Sequence, residues 1–166
     1  MFARLHRKLD KNLPEMQALL VPEVIQLCQM FDQRGFETRV VGGAVRDMLM
    51  KRSPKDIDLC TTATPDKMIE IFKENQIRYI ETGLQHGTVT AHMNGKDFEV
   101  TTLRIDVETY GRQAKVEFTK DWLLDADRRD LTFNSMSVDV EGTLYDYFNG
   151  EEDLEKKKVR IILMEH

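Results

Sequence analysis

The sequence has 166 residues, of which 41% are hydrophobic and 32% are charged, a composition typical of one globular domain with a hydrophobic core. No apolar run approaches the roughly 20 residues that a membrane-spanning helix needs. Two cysteines are too few for a disulfide framework, so we expect a reducing compartment: the cytoplasm or, in a eukaryote, the mitochondrion or nucleus. The net charge of −5 argues against strong RNA binding by this stretch alone and suits a site for divalent cations.

The first half of the chain predicts helices that alternate with short strands. Apolar spacing over residues 14–34 predicts a helical segment in which Pro14 and Pro22 mark starts or a break, and Gly35 is expected to end it. The elements expected next are a strand over 38–41, a helix over 44–50, a strand over 56–59, a helix from Pro65 to about Lys73 with Thr64 as N-cap, and a strand over 77–80.

Hairpins are expected in the second half. Asn94-Gly95 and Glu141-Gly142 are two-residue turn signals, each between two runs of strand-forming residues. Residues 104–117 have weak periodicity, so a mobile loop is expected there. The predicted strands are 86–93, 97–103, 134–140, 143–148 and 159–163, and the predicted helices are 122–129 and 151–158. The expected fold is α+β, with a mixed sheet flanked by helices.

Asp56 and Asp58 are the strongest local feature. In a strand, residues two apart point to the same face, so these carboxylates would project together while Ile57 and Leu59 face the core. Paired carboxylates repel unless a cation lies between them, and Mg²⁺ prefers such oxygen ligands. Two ions about 3.5–4 Å apart would stabilise an in-line displacement. Glu99 would join them if its strand pairs beside theirs. The alternative is a solvated strand face.

The segment from Val40 to Asp47 leads from a strand through Gly42 and Gly43 into a helix that carries Arg46. Glycine lets a backbone turn tightly beside a ligand, and the arginine is a fork of donors for phosphate. The segment has neither the Gly-Lys-Ser/Thr ending of a Walker loop nor the GxGxxG pattern. The alternative interpretation is an ordinary turn.

A third group of polar residues lies between Asp127 and Ser135. The adjacent arginines suit a triphosphate, and Asp130 could accept hydrogen bonds from ribose hydroxyls. The same pattern is typical of a charged helix end with local ion pairs. The candidate nucleotide-binding residues from this and the preceding segment are Gly42, Gly43, Arg46, Asp47, Arg129, Asp130 and Asn134.

In order, the motifs GGAVRD, DIDL, FEVTTLR, RRDLTFNSM and LYDYFNGEEDL resemble the head of class II CCA-adding enzymes and the related bacterial poly(A) polymerases, from about Arg39 to Arg160. Residues 61–65 and 101–104 resemble the CCA-adding branch more closely. The resemblance implies a polymerase-β-like nucleotidyltransferase palm over residues 35–163, with the start of the neck at its end and residues 1–34 as an N-terminal helical segment. It also implies Mg²⁺-dependent, template-independent transfer of CMP and AMP from CTP and ATP to the 3′ end of tRNA.

The resemblance also implies roles for single segments. Asp56 and Asp58 match the family's metal ligands, and Gly42, Gly43 and Arg46 match its triphosphate-contacting segment. Arg129 and Asp130 match the segment that contacts ribose and phosphates. Residues 104–117 match a flexible element used in the switch to ATP, and residues 146–153 match a hinge. Asp56, Asp58 and Glu99 are therefore the candidate catalytic residues.

The family's base-reading motif, Glu-Asp-x-x-Arg, would follow within a few residues of Leu163 and is not in this sequence. The neck, body and tail helices that grip tRNA are also outside it. We therefore expect a fragment that is inactive or impaired by itself. Two other functions stay open: the head of a bacterial-type poly(A) polymerase, and an inactive nucleotide-binding or protein-interaction module.

Overall fold

The computed structural model describes residues 6–108 and 114–162. Within them the helices are Pro14–Leu19 (α1), Pro22–Asp32 (α2), Gly43–Leu49 (α3), Pro65–Glu74 (α4), Trp122–Asp127 (α5) and Gly150–Glu155 (α6), with 3₁₀ turns at Leu84–His86 and Thr132–Asn134. The strands are Arg7–Lys8 (β1), Thr38–Val41 (β2), Asp58–Thr61 (β3), Arg78–Gly83 (β4), Thr88–Met93 (β5), Lys96–Thr102 (β6), Arg104–Glu108 (β7), Ala114–Phe118 (β8), Ser137–Val138 (β9) and Thr143–Tyr145 (β10).

Eight of these strands form one mixed sheet in the order β1-β10-β9-β2-β3-β6-β5-β4. β3 and β6 are parallel, and the other neighbours are antiparallel. The parallel pair lies at the centre, because the chain leaves β3, crosses through α4 and returns by the β4–β5 hairpin to β6. The predicted α+β fold with a mixed sheet is confirmed.

One face of the sheet carries the hydrophobic core, and α1 to α4 all contribute to it. Leu59 of β3 and Val100 of β6 are buried there beside Phe31 and Phe72. Side chains alternate along a strand, so the neighbours of Leu59 and Val100 in the sequence point to the opposite face. That opposite face carries the candidate site.

The predicted helix starts and turns agree with the structure. Pro14, Pro22 and Pro65 each begin a helix, where the missing N–H of proline costs no hydrogen bond. Asn94 and Gly95 have φ of 53° and 77°, the left-handed pair that a tight two-residue hairpin turn requires. The hairpin at Glu141-Gly142 also forms, with shorter strands than expected.

The loop predicted over residues 104–117 is wrong for most of its length. β7 and β8 form a separate antiparallel pair, in register from Arg104 opposite Phe118 to Glu108 opposite Ala114. Both strands alternate apolar and charged residues, which is the pattern of a ribbon with one solvated face. Residues 109–113, including Gly111, lie outside the described residues.

Two predicted strands also need correction. β3 begins at Asp58, so Asp56 precedes it, because the neighbouring β2 ends opposite Asp58 and turns at Gly42 into α3. The strand predicted over 159–163 is reduced to an isolated bridge between Leu131 and Ile161, and residue 163 lies outside the described residues. No ladder extends from this bridge because the chain after Leu131 coils into a 3₁₀ turn.

Candidate active site

An open cleft of about 450 Å³ lies on the face of the sheet opposite the core. Its walls come from the turn between β2 and α3, from β3 and β6, from the start of β7 and from the end of α5. Seven of the predicted site residues line it: Gly42, Gly43, Arg46, Asp58, Glu99, Arg129 and Asn134. The fold thus brings together residues from four separate sequence motifs.

Asp58 and Glu99 lie directly opposite each other across the parallel strands β3 and β6. The pKa of Asp58 is raised, first by partial desolvation and then by the negative charges of Glu99 and Asp56, while Arg129 lowers it. The expectation that Glu99 shares a face with Asp58 is thereby confirmed. Such repulsion between carboxylates is relieved when a cation binds between them.

Asp56 lines a second cleft, of about 420 Å³, together with the same two carboxylates. This second cleft is lined by Asp56, Asp58, Ile80, Thr82, Thr90, Asp97 and Glu99. Among the described residues no three acidic, His or Cys side chains are already arranged as ligands around one point. The donor chemistry nevertheless fits a hard divalent cation, which takes carboxylate oxygens and retains water and phosphate oxygens as its other ligands.

The glycines keep space for two arginines. Gly42 has a φ of +70°, and a Cβ there would lie 3.6 Å from Arg129 Nη1. A Cβ on Gly43 would lie 3.3 Å from Arg46 Nη2. A Cβ at Gly43 would be tight against the end of the Arg46 guanidinium, whereas one at Gly42 would make ordinary contact with Arg129, so at Gly42 it is the positive φ that favours glycine.

Four arginines form the cationic wall of the first cleft: Arg46, Arg104, Arg128 and Arg129. Arg46 Nη1 donates to Asn134 Oδ1 over 3.3 Å, and its Nη2 lies 3.3 Å from Asp47 Oδ1. Arg129 Nη2 donates to Cys60 Sγ over 3.5 Å. This wall faces Asp58 and Glu99, so one side of the cleft is cationic and the other anionic.

Two predicted nucleotide-binding residues do not line this cleft. Asp47 pairs with Arg46 from behind the wall, and Asp130 has an exposed side chain outside it. Asp130 contributes its backbone carbonyl to Ile162 N–H over 3.0 Å. Asp47 follows Arg46 on α3, where neighbouring side chains point in different directions, and Asp130 lies beyond the end of α5 with its side chain exposed.

Sequence reasoning missed the buried carboxylate of Asp125 and the cleft residue Arg104. Asp125 is 3% exposed and accepts hydrogen bonds from the Arg104 backbone N–H and from Arg128 Nε. The spacing of three and four residues from Asp125 to Arg128 and Arg129 was a usable signal of ion pairing on one helix face. Nothing local signalled Arg104, which arrives from β7.

α5 is held against the sheet by Trp122. The indole Nε1 donates to Glu37 Oε2 over 2.8 Å, and the guanidinium carbon of Arg39 lies 3.9 Å from the centre of the indole ring. Trp122 also packs beside the buried Val41 and Cys60. These contacts fix the helix that carries Arg128 and Arg129 at its end.

Carboxylates and arginines that line one cleft are the groups that can hold a nucleoside triphosphate together with a divalent cation. A family model described as the poly A polymerase head domain matches residues 38–160. The chain belongs to this family.

Relatives agree with that assignment. The mitochondrial CCA tRNA nucleotidyltransferase 1 of Homo sapiens is 53% identical over 150 residues, which are 90% of this chain and 35% of the relative. The CCA-adding enzyme of Staphylococcus aureus strain MRSA252 is 39% identical over 156 residues, 93% of this chain and 36% of the relative. This chain therefore spans about a third of the length of these relatives.

A solved structure of a CCA-adding enzyme is also similar to this chain. The crystal structure of the Bacillus stearothermophilus CCA-adding enzyme in complex with CTP superposes with a TM-score of 0.77 at 34% identity, over 90% of this chain and 34% of that one. Nucleotidyltransferases of this kind use a divalent metal ion. None of the described helices is long and apolar enough to cross a membrane.

Proposed function

We propose that this chain is the catalytic head of a CCA-adding enzyme, which transfers CMP and AMP from CTP and ATP to the 3′ end of tRNA without a template. The observation that carries the proposal is the single cleft in which Asp58 and Glu99 face four arginines. The names of the relatives and the CTP complex of the structural neighbour favour CCA addition over poly(A) synthesis.

Asp56, Asp58 and Glu99 are the residues that would hold the metal, for which we propose Mg²⁺ at a two-ion site. When bound, the ions supply positive charge to the attacking and leaving oxygens of an in-line displacement. The carboxylates themselves orient toward the α-phosphate from the base of the cleft. Burial raises the pKa of Asp58 first and the charges of Glu99 and Asp56 raise it further, and this repulsion between carboxylates favours cation binding.

The arginine wall would bind the β- and γ-phosphates. Guanidinium groups donate in a planar fork that matches phosphate oxygens and remain charged at any physiological pH. In the reaction the bond from the α-phosphorus to its bridging oxygen breaks, and pyrophosphate leaves with the negative charge. Arg46, Arg104, Arg128 and Arg129 stabilise that charge where it develops.

The acceptor end fits the second cleft. In an in-line displacement the attacking oxygen approaches opposite the leaving group, so the 3′-hydroxyl must come from the side of the carboxylates away from the arginine wall. The second cleft shares Asp58 and Glu99 with the first, is lined by none of the four arginines, and has the apolar Ile80 and the hydroxyls of Thr82 and Thr90 on its walls. We place the terminal ribose of tRNA in it.

The proposal extends to the compartment. The human relative is named as mitochondrial, and both cysteines of this chain are free and buried, as expected in a reducing compartment. We propose tRNA processing in the mitochondrion, the cytoplasm or both.

Titration of CTP and ATP into this chain tests the proposal. We expect nucleotide binding in Mg²⁺ that weakens sharply when EDTA removes the metal. Binding that is indifferent to EDTA would contradict the assignment of the carboxylates. Failure of the chain to bind either nucleotide would favour a protein-interaction module instead.

A further inference from the structure

Asp125 is a buried carboxylate that the proposed reaction does not use. It lies in α5 with 3% of its surface exposed, and it is not among the residues that line the cleft. Its Oδ1 accepts hydrogen bonds from the Arg104 backbone N–H over 2.9 Å and from Arg128 Nε over 3.1 Å. Its Oδ2 lies 3.6 Å from Arg129 Nη2. One carboxylate therefore contacts three arginines.

All three of these arginines belong to the cationic wall. They come from two elements that are distant in sequence: Arg104 begins β7, whereas Arg128 and Arg129 follow α5. The fourth arginine, Arg46, is held separately by Asn134 and Asp47. Asp125 is thus the point at which the hairpin and the helix are joined behind the cleft.

The wall needs such a partner because its own charges repel. The pKa of Arg104 is lowered, first by burial and then by the charge of Arg128, and Asp125 acts in the opposite direction. Arg104 Nε is buried without a hydrogen-bond partner, so this side chain is held through its backbone and by Nη1, which donates to the His86 carbonyl over 3.0 Å. Loss of the bond to Asp125 would release one of these two anchors.

The N-cap of α5 and its attachment to the sheet do not depend on Asp125. The helix has its own N-cap in Asp121, which accepts from the backbone N–H groups of Leu123 and Leu124. Trp122 fixes the helix to the sheet through Glu37. Asp125 points instead to the end of the helix and to β7, where the cleft begins.

We propose that Asp125 is the positioning residue for triphosphate recognition, which holds Arg104, Arg128 and Arg129 in one arrangement without touching the nucleotide. This inference rests on the proposed function, because it assumes a nucleoside triphosphate as the ligand. It predicts that a change at Asp125 affects ligands in proportion to their phosphates. A nucleoside monophosphate, which leaves most of the wall unused, should be nearly insensitive.

The test compares CTP with CMP, each titrated in Mg²⁺ into the parent chain, Asp125→Asn and Asp125→Glu at a temperature well below unfolding. We expect Asp125→Asn to bind CTP about tenfold more weakly, the equivalent of one lost charged hydrogen-bond contribution. Asp125→Glu keeps the charge but displaces it by one methylene, so its affinity for CTP should lie between the parent and the Asn variant. The affinity for CMP should stay unchanged in both.

Glu23→Gln is the matched control. Glu23 is also a buried carboxylate with a cationic partner, Lys96, but it lies on α2 on the core side of the sheet. This variant should bind CTP like the parent. If Asp125→Asn does not fold, as judged by circular dichroism, the affinities for CTP and CMP are compared in Asp125→Glu instead.

Parental CTP affinity in a folded Asp125 variant, or an equal loss for CTP and CMP, would overturn the inference. A parent chain that binds no CTP at all would instead overturn the proposed function. The two failures are therefore distinguishable.

Discussion

The acidic residues of this site repel one another. Asp58 and Glu99 lie opposite each other on two adjacent strands, and the charges of Glu99 and Asp56 raise the pKa of Asp58 after burial, while Arg129 lowers it. Their close approach becomes favourable when a positively charged ligand binds to them. The role of each carboxylate therefore depends on the charges of its neighbours rather than on its own hydrogen bonds.

Asp58→Ala should separate function from stability. We expect it to remove most of the Mg²⁺-dependent component of CTP binding, because one ligand of the metal is lost. The melting temperature should stay the same or rise, because the like charges of Glu99 and Asp56 lose a neighbour. Calorimetric titration and thermal unfolding measure the two effects.

Glu70→Ala, an exposed change on α4, serves as the control for Asp58→Ala. It should alter neither nucleotide binding nor its dependence on Mg²⁺. An Asp58→Ala chain that keeps the full Mg²⁺-dependent affinity of the parent would show that the metal is held elsewhere.

Gly42→Ala should cost both stability and triphosphate affinity. A left-handed backbone is unfavourable for alanine, so we expect a loss of about 1–3 kcal/mol in the free energy of unfolding. The turn at Gly42 is also part of the wall of the cleft, so relaxation of the strained backbone there should weaken CTP binding.

Gly95→Ala is the control for backbone strain. Its φ is +77°, but no atom lies within 4 Å of the position of a new Cβ. It should lose comparable stability in urea unfolding and keep the CTP affinity of the parent. Equal effects of the two changes on CTP binding would show that Gly42 has no specific role in the site.

Both cysteines should be unreactive in the folded chain. Burial raises the pKa of the Cys28 thiol to about 12 and that of the Cys60 thiol to about 11. Only the thiolate is nucleophilic, so iodoacetamide at pH 8 should modify both slowly before denaturation and rapidly after it. Mass spectrometry of the alkylated chain gives the measurement. Fast modification of Cys60 in the native chain would contradict the buried thiol beside Arg129.

At the residue scale, the sequence predicted what depends on strand alternation. The common face of Asp58 and Glu99 follows from a period of two and needed only the pairing of β3 with β6. The roles of Asp125 and Arg104 could not be predicted, because their contact joins elements about 20 residues apart whose relative placement is set by the packing of Trp122.

At the scale of elements, the β7–β8 ribbon is the main departure from expectation. Its alternation of Ile105 and Val107 with charged residues was hidden by the high charge of the whole segment. The Asn94-Gly95 hairpin was predictable because its turn has a specific backbone requirement. The strand expected over 159–163 failed because the chain beside it coils and offers no ladder to pair with.

Amide hydrogen exchange should be faster in the two-stranded β7–β8 sheet than in the eight-stranded sheet. A ribbon of only two strands is marginally stable, so we expect the paired amides of β7 and β8 to exchange more slowly than an unfolded chain but faster than those of β3 and β6. Hydrogen–deuterium exchange with peptide-level detection measures both. Unprotected exchange throughout residues 104–108 and 114–118 would support a loop rather than strands.

At the scale of the whole molecule, the residues that line the first cleft suit triphosphate and ribose, which all four nucleotides share. Selection among bases requires polar groups that leave a wrong base unpaired, and we assign the charged side chains of this cleft to the metal and the phosphates instead. We therefore expect this chain to bind CTP, ATP, GTP and UTP with similar affinities, as measured by four parallel titrations in Mg²⁺. A preference of more than about tenfold for CTP or ATP would mean that the described residues already read the base.

The central claim is tested most directly by product length. A chimaeric enzyme, in which this chain replaces the matching region of the 53% identical human relative, is supplied with a tRNA that ends before CCA. We predict that CTP alone adds two nucleotides, that CTP with ATP adds three and then stops, and that Asp58→Ala in the chimaera adds none. A long tail made from ATP alone would identify a poly(A) polymerase head, and no addition by a folded chimaera that binds tRNA would contradict the account.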